Sequence, residues 1–134
     1  MNNPLVSVII PVYNIEKWIK PGLELIQKQT FRDFEIILVD DGSTDSSSQL
    51  CNDAAEEYEY VSVVHTENFG LGHARNVGIE NAKGEYIYIF DLDDQPEPRL
   101  LDVCIENIQK YQADLVVFSF DMIQVGRYPS KTHV

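Results

Sequence analysis

The chain has 134 residues and carries 22 Asp and Glu against 10 Lys and Arg, a formal net charge of −12. That length suits one domain or a piece of one, with enough apolar residue for a real core. The charge argues against a nucleic-acid partner, which calls for a basic face, but leaves room for a small phosphorylated ligand bridged by a divalent cation.

Residues 6–12 form an apolar run broken only by Ser7 and Pro11, which predicts a strand buried on both faces. Over residues 16–30, Ile19, Leu23 and Ile26 share one helical face with Trp18 and Leu25 beside it, and Pro21 predicts an irregular or late first turn. Residues 35–39 read as a second strand ending in Asp40-Asp41-Gly42, followed by Ser43, Thr44 and Asp45, all able to cap a helix. That helix, residues 45–58, puts Leu50, Cys51, Ala54, Ala55 and Tyr58 on one stripe. Residues 61–64 give a short strand. Residues 71–82 give a helix whose Ala74 and Gly78 suit close packing on a sheet, with Lys83-Gly84 closing it. A fourth strand, residues 86–90, runs into Asp91-Leu92-Asp93-Asp94. Leu101, Cys104, Ile105, Ile108 and Tyr111 mark another helix, and residues 115–120 a fifth strand. The tail, residues 124–134, is polar, contains Gly126 and Pro129, and is expected to be poorly ordered beyond a body of residues 1–123. Alternating strands and helices imply an α/β fold, a mainly parallel sheet with helices on both faces.

Two of these strands end in carboxylates, at Asp40-Asp41 and at Asp91-Leu92-Asp93-Asp94. In a parallel sheet both ends lie on the carboxyl edge, where ligands bind in open α/β folds. Charges that close a buried strand cannot themselves bury unpaired, so each cluster either faces water as a turn or holds a cation. Taken alone, an Asp-rich turn in an acidic chain is as readily a solvated loop. The second acidic strand end favours a cation, and hard oxygen ligands suit Mg²⁺ or Mn²⁺ beside substrate phosphates.

Other features read more plainly. Gly70-Leu71-Gly72 resembles a dinucleotide fingerprint, but Arg75 stands where the third glycine belongs. His65 and His73 lack a second ligand at metal spacing, and Glu56-Glu57-Tyr58-Glu59 reads as a solvated helix end. A receiver-type phosphoryl-transfer domain needs an acidic pair after its first strand, where this chain has Tyr13-Asn14. Cys51 and Cys104 read as buried, reduced thiols. No apolar stretch is long enough for a bilayer, and Met1-Asn2-Asn3-Pro4 does not read as a signal peptide. The expectation is a cytoplasmic protein, at most peripheral at the inner face of the membrane.

Several segments, taken in order, resemble family 2 inverting glycosyltransferases of the GT-A fold: Val8-Ile9-Ile10-Pro11-Val12-Tyr13-Asn14, Gln29-Thr30-Phe31, residues 35–45, Asn68 through Asn76, Gly84-Glu85-Tyr86-Ile87, the acidic cluster, and Glu97-Pro98. The resemblance implies a Rossmann-like GT-A nucleotide-sugar-binding fold, here its donor-binding part. It implies that Pro11, Val12 and Tyr13 line the nucleotide pocket, that Asp41 accepts a hydrogen bond from the base (typically uracil N3–H), and that Arg75 faces the nucleotide or diphosphate. Asp91-Leu92-Asp93 matches the family's DXD motif, with Asp91 near the ribose or metal-bound water and Asp93 ligating Mg²⁺ or Mn²⁺. The implied partners are a UDP-sugar donor and a saccharide or glycoconjugate acceptor in polysaccharide or glycoconjugate synthesis. The sequence departs from the family at Gln95-Pro96 and at His73. An inverting transfer needs a general base, and the family supplies it well after the DXD motif, in a segment with no counterpart before Val134. Truncation there would leave an apolar face open to self-association. The alternative reading is a non-catalytic nucleotide-sugar-binding or assembly module.

Overall fold

The structure is a computed structural model describing residues 3–118, 121–124 and 130–133, the last two stretches by backbone alone. It comprises two compact units, Met1–Leu101 and Asp102–Val134. The first contains β1 (Val6–Val12), α1 (Glu16–Gln27), β2 (Phe34–Asp41), α2 (Ser47–Glu57), β3 (Val61–Thr66), α3 (Leu71–Asn81) and β4 (Tyr86–Ile89), and α4 (Leu100–Tyr111) begins at its end. The second holds the rest of α4 with β5 (Asp121–Gln124) and β6 (Ser130–His133), an antiparallel pair. Among the described residues no helix is long and apolar enough to cross a membrane.

All four strands of the main sheet are parallel, in the order β3-β2-β1-β4. The crossovers from β1 to β2 and from β2 to β3 step the same way along the sheet, whereas the one from β3 to β4 returns past β1. Right-handed crossovers therefore put α1 and α2 on one face and α3 on the other. Both faces of β1 and β2 must then be apolar. Ile9, Ile37 and Val39 form a cluster with Ala74 of α3, and the alternate residues Val8, Ile10, Ile36 and Leu38 are wholly buried on the other face. The order of strands reverses direction beside β1, so a crevice opens at its carboxyl end between β2 and β4.

Close approach of α3 to the sheet depends on Gly78, where a Cβ would run into Cγ2 of Ile9. On the side away from the crevice, Ser7 and Glu35 are register partners on β1 and β2, and the Ser7 hydroxyl donates to Glu35 at 2.6 Å. These two residues then accept the amides of Gly84 and Lys83, both at 2.8 Å, which ties down the turn before β4. At the crevice the two loops after β1 and β2 interlock. Asn14 Oδ1 accepts the Thr44 amide at 2.7 Å, Asp45 accepts the Glu16 amide at 3.3 Å, and Glu16 accepts the Ser46 amide at 2.8 Å.

Two expectations need correction. α1 runs unbroken through Pro21 instead of starting late. Proline removes one bond, that to the Lys17 carbonyl four residues back, and Lys17 is exposed, so water can take the freed acceptor. No fifth strand occupies residues 115–118, and residues 119–120 lie outside the described residues. Leu115 and Val117 are among the most exposed apolar side chains of the described residues. Among the described residues, strand propensity there meets no pairing partner, and pairing with burial decides strand formation. From residue 124, expected as a tail, the backbone of Ser130–His133 pairs with β5, while residues 125–129 and 134 lie outside the described residues.

The two glycines of α3 make a paired test. Gly78→Ala is expected to destabilise the fold by about 1–3 kcal/mol through overpacking against Ile9. Gly72→Ala meets open space on the same helix and is expected to stabilise it by about 0.4–1 kcal/mol. Urea unfolding of the two variants beside the parent reads both signs.

Candidate functional site

The crevice is a cavity of about 440 Å³. From the end of β1 come Pro11, Val12 and Tyr13, and from the start of α1 Ile15 and Trp18. The end of β2 supplies Asp41, the β3–α3 loop and α3 supply Asn68, Gly70, Leu71 and Ala74, and the turn after β4 supplies Asp91, Leu92 and Asp93. β2 and β4 flank β1, so the acidic strand ends stand roughly 10 Å apart, two strand spacings.

Asp40 and Asp41 are both buried, and as neighbours on a strand they turn to opposite faces. Their register partners on β3 are His65 and Thr66. Asp40 faces α2: it accepts the Ser48 hydroxyl, the Ser43 amide at 3.1 Å and His65 Nδ1 at 2.8 Å. The other ring nitrogen of His65 meets Asn52 Oδ1 at 2.7 Å, so this histidine is satisfied within the fold. Burial would raise the Asp40 carboxyl, but the hydrogen bonds from Ser43, Ser48 and His65 together outweigh it and hold the pKa below the usual value. Asp41 faces α3. Its Oδ1 accepts Thr66 Oγ1 at 3.2 Å and the Phe69 amide at 3.1 Å, and its Oδ2 accepts the Gly70 amide at 3.0 Å. Gly70 has φ of +100°, a conformation that aims this amide at the carboxylate and that side chains disfavour. A carboxylate offers about four lone-pair sites, which leaves one on Oδ2 beside the cavity.

The turn after β4 is held differently. The Asp94 amide bonds the Asp91 carbonyl at 2.9 Å, and burial together with the charges of Asp91 and Asp93 pushes the Asp94 carboxyl up. Arg75 does not line the cavity, but its guanidinium stands 4.0 Å from Asp91 Oδ1, and its buried Nε has no hydrogen-bond partner. The turn thus gathers negative charge that Arg75 offsets in part at Asp91, beside an unused donor, the Arg75 Nε. Among the described residues no three His, Cys, Asp or Glu side chains could hold a metal ion by themselves. Two carboxylates at the mouth of an open crevice fit Mg²⁺ or Mn²⁺ that completes its shell with water and ligand phosphate. The thiols take no part: both cysteines are free, and Cys51 is pushed up to about 12 by burial and by the charges of Asp40 and Asp45. Cys104 is only half-buried, short of the full burial expected from its sequence.

Residues 7–133 match the family model for glycosyl transferase family 2. The chain belongs to that family. It is 42% identical over 117 residues to "Glycosyltransferase GlyG" of Streptococcus pneumoniae, covering 87% of this chain and 39% of that relative. Among solved structures it resembles S. aureus TarS 1-349 in complex with UDP-GlcNAc, with 33% identity, a TM-score of 0.74, and coverage of 82% of this chain and 32% of that one. It also resembles the mannosyltransferase PcManGT from Pyrobaculum calidifontis in complex with GDP-Man and Mn²⁺, at 31% identity and a TM-score of 0.69, covering 89% and 35%. The chain therefore spans about two fifths or less of the proteins it matches, and its sheet is the Rossmann-like α/β part of the GT-A fold.

Of the residues singled out in the sequence, Pro11, Val12, Tyr13, Asp41, Asp91, Leu92 and Asp93 share the cavity, with Arg75 behind the acidic turn. Ile15, Trp18, Asn68, Gly70, Leu71 and Ala74 also line it, beyond the residues expected from the sequence. For Trp18 a signal existed: it is the single tryptophan of the chain, at the edge of the apolar face of α1, and it remains 48% exposed.

The depressed Asp40 carboxyl ties stability to pH. A folded-state value below 3.8 gives stability that is present above that pH and lost as pH falls through the folded value. Asp40→Asn is expected to cost about 1–3 kcal/mol at pH 7, with the gap from the parent closing as the pH is lowered below 3.8. Urea unfolding stepped from pH 7 toward pH 3 measures it; a gap that stays constant would mean these bonds do not depend on the charge.

Proposed function

We propose that this glycosyl transferase chain is the donor-binding part of an inverting enzyme that holds a nucleoside diphospho-sugar of the UDP type through Mg²⁺ or Mn²⁺. The single observation that carries the reading is one cavity with a hydrogen-bonded carboxylate, Asp41, on one side and the acidic turn of Asp91 and Asp93 on the other.

In this reading the base lies over the β2 side, where Tyr13, 44% exposed, offers an aromatic surface and the spare lone pair of Asp41 Oδ2 accepts a base N–H. Asp41 acts as a fixed acceptor because three protein donors hold it in place. The diphosphate lies toward the β4 side. Asp93, with Asp91, would hold the divalent ion, which when bound neutralises the charge of the departing nucleoside diphosphate. Arg75 supplies a second positive group there, its guanidinium Nη2 turning from Asp91 to a phosphate oxygen once Asp91 is engaged. Anionic protein and anionic ligand repel without the cation, so binding is metal-dependent. The reading assigns the acceptor site and the general base to parts of the enzyme outside this donor-binding part, since relatives such as GlyG are more than twice as long.

Calorimetry against nucleoside diphosphates, with and without Mn²⁺, tests the proposal. UDP binding is expected with Mn²⁺ and lost on chelation. Asp93→Ala is expected to abolish the metal effect, and Asp94→Ala to change it less. Tight UDP binding that survives excess chelator overturns the metal assignment. For the base, Asp41→Ala is expected to weaken UDP by about 1–3 kcal/mol and erase its advantage over other nucleoside diphosphates. Selectivity that persists in this variant removes Asp41 as the base reader. Metal-dependent donor binding by a full-length protein that transfers no sugar would favour the non-catalytic binding module.

A further inference from the structure

The acidic turn has little to hold it in place. One backbone bond closes it, between Asp94 and Asp91, and its carboxylates repel one another. Two anchors bear on it, one on α1 and one just past its end. The first is Leu92, 2% exposed, against which α1 packs so closely that only glycine fits. A Cβ on Gly22 would run into Leu92 Cδ2 and stand 2.9 Å from the Leu92 carbonyl oxygen. The second is Gln29, just past the end of α1 and 2% exposed. Its Nε2 donates to the Glu97 carbonyl at 2.6 Å and its Oε1 accepts the Leu101 amide at 3.0 Å. The Thr30 amide adds a bond to the Pro98 carbonyl at 2.9 Å.

A buried primary amide must satisfy both its ends, and this one uses them on two points of the same segment. The Leu101 amide belongs to the first turn of α4, where helix geometry provides no acceptor, so the Gln29 oxygen also fixes where that helix starts. Asp91 and Asp93 therefore sit on a short stretch pinned at Leu92 and again at residues 97–101. Neither Gly22 nor Gln29 lines the cavity, so any effect on the site passes through Leu92 or through the backbone of residues 92–101.

We propose that α1 is the positioning element for the acidic turn: Gly22 sets the depth of Leu92 and Gln29 clamps residues 97–101, which holds the carboxylates of Asp91 and Asp93 at one place on the cavity. The functional half of this inference rests on the donor-binding reading above. Gln29 and Gly22 are positioning residues, comparable to the outer partners that orient metal ligands.

The test uses Gln29→Met, which keeps length and burial but removes both hydrogen bonds, and Gly22→Ala, which acts at the other anchor should the first variant not fold. Hydrogen exchange reads the clamp without any ligand. The Asp94 and Leu101 amides are expected to exchange roughly tenfold faster while those of Ile37 and Val39 keep the parent rate. Unchanged protection at Asp94 in both variants overturns the proposal. Ligand titrations then separate positioning from general damage. Affinity for UDP with Mn²⁺ is expected to fall roughly 10–100-fold, the range for lost outer-sphere support of a metal site, whereas uridine, which lacks the phosphates, binds as to the parent. Parallel losses for uridine and for UDP with Mn²⁺ would assign α1 a role in the whole fold and overturn the positioning role. If the parent itself shows no Mn²⁺-dependent UDP binding, the donor reading fails, and the exchange rates alone decide the clamp.

Discussion

The carboxyl end of β2 is the point to which both faces of the sheet are fastened. Asp40 and Asp41 are adjacent, buried and turned to opposite sides, and a buried charge is tolerable only where hydrogen bonds replace its water. Asp40 finds them on α2 and β3, from Ser48 and His65, and Asp41 finds them in the loop that leads into α3. One dipeptide thus sets the positions of helices on opposite faces. The requirement explains local choices that otherwise look unrelated: the register pairing of Asp40 with His65 and of Asp41 with Thr66, and the left-handed backbone at Gly70.

The acidic strand ends differ in how completely their charge is answered, and that difference separates a fastening from a site. At Asp40 neutral donors and a histidine outweigh the cost of burial, and the carboxyl sits below its usual value. At the turn after β4 burial and like charge act together, and the Asp94 carboxyl sits above its usual value. Selection for stability alone favours the first arrangement. The second gathers like charge that Arg75, 4.0 Å from Asp91 Oδ1, offsets only in part, and a bound cation would offset it further.

Much of this was legible because the strands are buried on both faces. Unbroken apolar runs at residues 6–12 and 35–39 can be little else, and parallel pairing then fixes which strand ends share an edge. That Pro11, Val12, Tyr13, Asp41, Asp91, Leu92 and Asp93 share one cavity is in keeping with that edge and with the resemblance to glycosyl transferase family 2. The reading went astray where a residue's environment lay far away in the chain. Pro21 looked disruptive because the exposure of Lys17 was not visible, and residues 115–118 looked like a strand because nothing in a sequence shows whether a partner edge exists. The functions of Gln29 and Gly22 were hidden for the same reason. Their partners lie about seventy residues further on, at residues 92–101.

The placement of Gln29 also explains why a polar residue is buried at the end of an amphipathic helix. A leucine there would fill the same space and contribute more apolar burial, but it would leave the buried Leu101 amide without its partner, at about 1–3 kcal/mol, and take one of the two bonds from the Glu97 carbonyl, which the Leu100 amide also reaches at 2.9 Å. The amide matches one donor and one acceptor at fixed separation, so it specifies a single register between α1 and the segment after the acidic turn. An apolar contact tolerates sliding; a two-ended hydrogen-bond clamp does not. With Gly22 preventing Leu92 from riding higher, the turn is constrained in depth by packing and along its length by hydrogen bonds. Like-charged carboxylates repel one another most when held rigidly together, so this rigidity is a cost in the free protein. On the donor-binding proposal it becomes an advantage when a cation binds, because its ligands would already be in place and no further ordering would be needed.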